Sequence, residues 1–549
     1  MRKLLLFVFA MLSLHASAQI TFTNPVLSGF YPDPSVTRVG TDYYLVNSTF
    51  SYFPGIPVFH SKDLKNWKQI GNVIDRPSQM TFIGDGTSRG LFAPSIYFNK
   101  GTYYVTCTNI DRKGNFVVTA KNPAGPWSDP VYLTGVNGID PSLFFDTDSN
   151  KAYIIYNSDA PDRKPLYDGH RTIRMYEFDA ANLKVKGEEM LMVNGGVDIS
   201  TKPVWIEGPH LFKRGDWYYI CAAEGGTSVN HSQVILRSKS PTGPFIPYDK
   251  NPILTQRHLD PNRPNPITSA GHAELVDGPD GKTYAIFLAV RPYEGDYYNT
   301  GRETFIAPVT WNDGWPIINP GIEEIQYKYT ADFKEVKQAG ALPQSGAFKY
   351  RLSFDKKLDP ALLFLRTHDP SWYTLTKKQG LTMKLLPETV MGSAQPAFIG
   401  KRQQHLYASA STVLDFKATH EKEQAGLLAF QNEKHFYYLC KSIVNNKTVV
   451  QLFRGPGKGA KQELLAEQVL ANATSPLYLR IDAKGGIYNF LFAEKAGDWK
   501  VLKDNVDAKF ISTKEAGGFI GVLFALYASS NGETSNSHAS FKWLDYEGN

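Results

Sequence analysis

Cysteine is scarce in this chain, with three in 549 residues: Cys107, Cys221 and Cys440. The count is odd and each ends a similar aromatic run (YYVTC, WYYIC, FYYLC). That argues for buried free thiols in strands and against a disulfide frame. No Cys/His grouping has the spacing of a zinc site. An excess of one charge is also lacking. Lys and Arg number 59 against 53 Asp and Glu, and no long basic run occurs, so no nucleic-acid partner is expected. Long apolar runs are confined to the start. Arg2 and Lys3 precede the apolar stretch Leu4–Leu12, and Ala16-Ser17-Ala18 follows. The stretch is too short to cross a bilayer, and the pattern is that of a secretory signal over residues 1–18. No Cys follows the cleavage site, so a lipid anchor is not indicated. The expectation is an exported protein, periplasmic or, alternatively, extracellular, with no membrane span.

What the chain has in abundance is aromatic residues (13%), with 45 Gly and 34 Pro, a mixture suited to many short strands joined by turns. One phrase recurs. YPDPSVTRVGTDYYLV from Tyr31 is echoed by FAPSIYFNKGTYYVT from Phe92, IDPSLFFDTDSNKAYIIY from Ile139, IEGPHLFKRGDWYYICA from Ile206 and GHAELVDGPDGKTYAIFLA from Gly271. The aligned tyrosines Tyr43, Tyr103, Tyr153, Tyr218 and Tyr284 fall 60, 50, 65 and 66 residues apart. Short strands repeating at that period predict a propeller of five blades over residues 19–322. In a propeller the first strand of each blade lines the axis. The residues that converge there are Asp33, Ala93, Asp140, Glu207 and His272. Burying three acids and a histidine around one axis is costly unless they are used. Asp-Pro-Ser as mere turn chemistry accounts for one or two copies but not for the in-phase series.

Residues 323–345 are polar and charged and read as a linker or crossover. From Gly346 to the end, period-two strands such as FKYRLSF, TVLDFKAT and LYLRIDA predict a two-sheet, lectin-like β-sandwich over 346–549. This half repeats Asp369-Pro370-Ser371, but no tyrosine strand follows at the right distance, so Asp369 is read as a turn residue. Asn47-Ser48-Thr49 matches a glycosylation acceptor, yet it ends a predicted inner strand and is read as accidental.

Two acids across a pocket can cleave a glycosidic bond. One protonates the leaving oxygen while the other activates water or attacks the sugar. The donor needs a raised pKa, and a neighbouring carboxylate helps to raise it. Asp33, Asp140 and Glu207 form such a trio, with the longer Glu207 as the natural donor. A carbohydrate-binding protein without turnover would need aromatic platforms but not three converging acids. A propeller built for protein contact finds no support in any apolar surface pattern.

The segments YPDPS (31–35), GIDPSLF (138–144) and WIEGPHLFK (205–213), with GHAE (271–274) and GRET (301–304), resemble the signatures of glycoside hydrolase family 43. The resemblance covers nearly the whole chain after the signal. It implies a catalytic five-bladed propeller followed by an accessory β-sandwich, and inversion of anomeric configuration. By residue, it implies Asp33 as the general base, Glu207 as the general acid and Asp140 as the acid that tunes and orients the donor. Arg302 is implied as a sugar contact, and Phe50 and Phe92 as walls of the sugar subsite. Phe519, in Gly517-Gly518-Phe519, resembles an aromatic pushed into the propeller mouth from the sandwich. His272 matches a position that binds a central water or a metal ion, often calcium, and a plain hydrogen-bonded histidine is the other reading. No cofactor is required for the chemistry, and the partner is an oligosaccharide or polysaccharide. The sandwich argues against the endo-acting branch. The wording of the first two blades favours α-L-arabinofuranosidase, with β-xylosidase or a bifunctional enzyme as the alternative. The implied target is a plant hemicellulose fragment, arabinoxylan or xyloglucan.

Overall fold

The computed structural model describes residues 19–472 and 476–549; the signal expected over 1–18 lies outside them. The chain is all-β. Its first half is a five-bladed propeller of antiparallel sheets, and its second a concanavalin-like sandwich. The blades begin with the inner strands Ser35–Val39, Ser95–Asn99, Ile139–Asp146, Glu207–Arg214 and Thr268–Asp277. Each inner strand packs beside the next, and the fifth returns to the first, so the ring closes. Glu274 fastens the closure. Its Oε2 accepts bonds from the Ser35 hydroxyl (2.8 Å) and the Val36 amide (2.7 Å). The strands after them, such as Thr102–Ile110 and Thr283–Val290, are buried almost throughout. Both of their faces are covered, one by each neighbouring blade, which is why they read as continuous aromatic and aliphatic runs rather than alternating ones.

The inner strands are not regular where the site lies. Register slips fall between Ile139 and Ser142, between Glu207 and His210, and between Gly271 and Glu274. Asp33, Asp140 and His272 share a left-handed backbone, with φ of 51°, 56° and 52°. Bulges of this kind re-aim a side chain out of the ladder, and a non-glycine residue in that region costs about 1–3 kcal/mol. The repeat therefore preserves a strained conformation as well as a residue position. In the fourth blade the left-handed position passes to Gly208 (φ 55°), where a Cβ would lie 2.7 Å from the His272 ring.

The sandwich packs an eight-stranded sheet on a six-stranded one. Its strands alternate as expected; Leu477–Lys484 is buried at every second position. The stretch that follows the fifth blade straps the propeller. Lys328–Ala331 pairs with Ile20–Thr23, and Asp63 of the first blade accepts from the Val336 amide at 2.7 Å. Phe364–Leu365 of the second half pairs with Tyr52–Phe53 of the first, and one apolar cluster runs from Val46, Ile96 and Trp127 through to Leu381, Leu427 and Phe524. The two halves share a core. The three cysteines are buried and free. Asn47 is fully buried, its amide spent on the carbonyls of Tyr31 and Pro32 (both 3.0 Å), so it braces the segment that carries Asp33. Asp369 caps a short 3-10 turn by accepting from the Ser371 amide at 2.8 Å.

Candidate active site

A cavity of about 460 Å³ opens at the propeller axis, within the ~300–1,000 Å³ usual for small-molecule clefts. Asp33, Asp140, Glu207, His272, Arg302, Phe50, Phe92 and Phe519 all line it. These residues span nearly the whole described chain, and both domains contribute. Ala93, the uncharged member of the axial series, is there as well, with Arg89, Ile110, Ile139, Arg171, Trp205, Gly226 and Thr227.

The three carboxyls have different surroundings. Asp33 is 5% exposed. Its Oδ1 accepts from Arg302 Nη1 at 3.1 Å and its Oδ2 from the Ser48 hydroxyl at 2.6 Å. Burial pushes this carboxyl up, but the Arg302 charge, His272 and the Ser48 bond together bring it below 3.8. Burial drives His272 itself down to about 3. The imidazole is therefore neutral at neutral pH, and Arg302 carries most of the stabilisation of the Asp33 anion. Asp140 is pushed well above 3.8 by burial, then by repulsion from Glu207 and Asp33, although the Gly208 amide donates to its Oδ2 at 3.1 Å. Glu207 is raised to about 7 by burial and by Asp33, against the pull of Arg302 and Arg171. Asp140 and Glu207 titrate as a pair, in which a charge on one opposes a charge on the other. Near neutral pH the site thus holds one carboxylate beside carboxyl groups that tend to keep their protons, a separation that equips acids in one pocket for opposite roles.

Arg302 anchors the site in a second way. Its Nη1 also donates to the Thr227 hydroxyl at 2.9 Å, while its buried Nε has no partner within the protein. A buried donor left unpaired costs about 1–3 kcal/mol, and this one belongs to a guanidinium that lines the cavity. Phe50, Phe92 and Phe519 form a mutual cluster with ring centroids 5.7–6.0 Å apart, and the Arg302 guanidinium lies 5.3 Å from the Phe519 centroid. The Phe519 amide donates to the Ser88 hydroxyl at 3.1 Å, which fixes the sandwich loop against the second blade.

His272 lies 3.9 Å from Asp33, Nδ1 to Oδ1. Calcium prefers about six to eight oxygen ligands, and among the described residues no group of three or more His, Cys, Asp or Glu has a metal-holding arrangement. The residues present do not fit a metal held by protein ligands alone. His231 is buried beneath the site with its Nδ1 3.0 Å from the Ser269 carbonyl, and burial lowers its pKa to about 4.

Sequence reasoning did not single out Ser48, Thr227, Arg171 or Trp205. Trp205 stands in the WIEGPHLFK segment, two residues before Glu207, and that proximity was the available signal. Ser48 sits in the apparent glycosylation motif. Thr227 and Arg171 lie in stretches that the repeat does not phase.

Comparison with known proteins agrees with this geometry. Residues 22–316 match the family described as glycosyl hydrolases family 43, and residues 351–547 match the beta xylosidase C-terminal concanavalin A-like domain. A xylosidase/arabinosidase of Butyrivibrio fibrisolvens is 38% identical over 530 residues, 95% of this chain and 99% of that protein. The non-reducing end alpha-L-arabinofuranosidase BoGH43B of Bacteroides ovatus is 36% identical, over 99% of this chain and 98% of its own. A solved structure titled Bacteroides ovatus Xyloglucan PUL GH43B superposes with a TM-score of 0.84, covering 96% of this chain and 99% of that one. The matches extend across both domains, and the chain belongs to glycoside hydrolase family 43.

Proposed function

We propose that this protein is an exo-acting, inverting glycosidase that removes terminal α-L-arabinofuranosyl residues from plant hemicellulose fragments. The observation that carries the reading is the split in proton affinity among three carboxyls lining one sugar-sized cavity, with Asp33 held low and Glu207 raised to about 7. Asp33, ionised and held by Arg302 and Ser48, takes a proton from a water as that water attacks the anomeric carbon. Glu207 gives its proton to the glycosidic oxygen as the bond breaks, so the leaving chain departs as a neutral alcohol. Burial and the Asp33 charge keep the donor protonated, and Asp140, which accepts from the Gly208 amide next to Glu207 in the chain, orients it. Arg302, with its unpaired Nε, supplies a rigid donor to a sugar hydroxyl. The three phenylalanines exclude water from the sugar ring, and Phe519 narrows the mouth toward attack on chain ends. No step involves a metal.

The name and xyloglucan context of the Bacteroides ovatus relative support the arabinofuranosidase reading and a xyloglucan or arabinoxylan target. β-Xylosidase activity is the second reading, supported by the double name of the Butyrivibrio relative. The basic start, short apolar run and Ala16-Ser17-Ala18 support export, with the periplasm as the destination. Parallel assay on nitrophenyl α-L-arabinofuranoside and β-D-xyloside tests the preference. A higher kcat/KM on the arabinofuranoside is expected, and a ratio favouring the xyloside overturns the choice of sugar. Proton NMR of the first-formed product tests inversion, and a retained anomer would remove it.

A further inference from the structure

The walls of the cavity differ in one respect. Phe50 is 1% exposed, whereas Trp205 is 37% exposed. Trp205 also holds a left-handed backbone (φ 50°), fixed by its amide donating to the Gly169 carbonyl at 2.9 Å. The Arg171 guanidinium lies over its ring, 4.6 Å from the centroid. Arg171 is itself held in place, donating to Asn157 Oδ1 through Nε (3.2 Å) and Nη2 (2.8 Å) and to Asp159 through Nη1. A large ring kept exposed, on strained backbone, with a braced guanidinium over it, is an expensive arrangement with no role in packing the core.

Trp205 and Arg171 line two cavities at once. One is the active-site cavity. The other, about 350 Å³, is also bounded by Asp159, Arg163, Tyr167 and Asp168. The pair is therefore a ridge between the two. A proton donor must face the leaving oxygen, so the leaving group lies on the Glu207 side of the site. Trp205 is two residues from Glu207 in the chain, and the Arg171 charge is close enough to act on the Glu207 carboxyl. A substrate chain whose terminal sugar fills the axial cavity thus continues across this ridge.

We propose that the Trp205–Arg171 ridge and the cavity behind it bind the leaving group, accepting two or more neutral, hydroxyl-rich sugar units of the chain from which the terminal residue is cut. The indole offers a flat surface for the C–H face of a sugar ring, an amphipathic contact suited to Trp. The second cavity carries acids, bases and a phenol in close mixture. That set suits hydroxyls, which both donate and accept, better than it suits a charged ligand. The inference rests on the glycosidase reading above and extends it from the cleaved sugar to the chain it leaves.

The test compares kcat/KM on a nitrophenyl glycoside with kcat/KM on the same terminal sugar joined to a chain of two or more neutral sugars, using the full-length protein. The variants are Trp205→Ala and Asp168→Trp, the second filling the far cavity from an exposed position. We expect the ratio of oligosaccharide to nitrophenyl kcat/KM to fall about tenfold in Trp205→Ala, as for loss of one aromatic anchor, and at least threefold in Asp168→Trp. Should Trp205→Ala fail to fold, Asp168→Trp decides. Ratios equal to the wild type in the folded variants overturn the subsite alone. A wild type that cleaves neither substrate overturns the glycosidase reading, and this inference with it.

Discussion

The propeller and the sandwich build the same pocket by different means. The propeller brings Asp33, Asp140, Glu207 and His272 in from the first, third, fourth and fifth blades, on backbone that is left-handed or slips register there. The sandwich sends in one ring, Phe519, and otherwise acts from behind. Its Arg402 is 1% exposed, donates from Nε to the Phe30 carbonyl at 2.7 Å and lies over the Tyr31 ring at 4.1 Å, so it grips the segment that carries Asp33. Its Glu433 accepts from the amide and hydroxyl of Thr87 (both 2.9 Å) and from the buried Arg366, fixing the loop that receives Phe519. The ring of blades supplies charge and chemistry. The second domain supplies shape, and holds still the backbone on which the chemistry depends.

The most drastic way to break this division is to remove residues 346–549. A core shared between the halves predicts that the propeller alone fails to give a cooperative thermal transition and has no measurable turnover. A soluble, active propeller would show that the sandwich is dispensable. Next in size are the carboxyls. Asp33→Asn and Glu207→Gln should each lower turnover of an oligosaccharide by about 10²–10⁴-fold, the usual share of general acid–base catalysis, with Tm close to wild type. The two losses should part company on a nitrophenyl glycoside. That leaving group needs little protonation, so Glu207→Gln should recover much of its deficit while Asp33→Asn should not. Equal recovery would mean the roles are misassigned.

Phe519→Ala tests the contribution of the sandwich at smaller scale. The variant should raise KM about tenfold with a lesser change in kcat, as expected for lost uniform binding. An unchanged KM would reduce Phe519 to interdomain packing. The smallest effect belongs to the look-alike. Asp369→Asn should leave kcat/KM within about twofold of wild type, since its carboxylate serves only a surface turn and surface changes of that kind rarely exceed ~0.5 kcal/mol. A large loss would return Asp369 to the site.

Much of this was readable from residues alone, for a physical reason. Blades repeat, so an in-phase acid, alanine, acid, acid, histidine series reports positions that meet at the axis. The repeat does not encode backbone conformation, so the shared left-handed geometry at Asp33, Asp140 and His272 was not legible. Trp205 and Arg171 come from irregular or outer segments of the third and fourth blades, where no phase constrains them. Arg402 braces a partner 372 residues away in sequence, and nothing local in GKRQQH distinguishes it from a surface cation.

The central claim is that Asp33 and Glu207 lie in one pocket and are held in opposite protonation states by their surroundings. The pH dependence of kcat/KM on an oligosaccharide, whose leaving oxygen needs a proton, measured for the wild type and for Glu207→Gln, tests it most directly. The wild-type rate should fall as pH rises through about 7, where Glu207 loses its proton, and should fall in acid only below the usual carboxylate range, where Asp33, held low by Arg302, gains one. In Glu207→Gln the alkaline fall should vanish and the acid limb remain. An alkaline limb that persists unchanged without the Glu207 carboxyl would contradict the account.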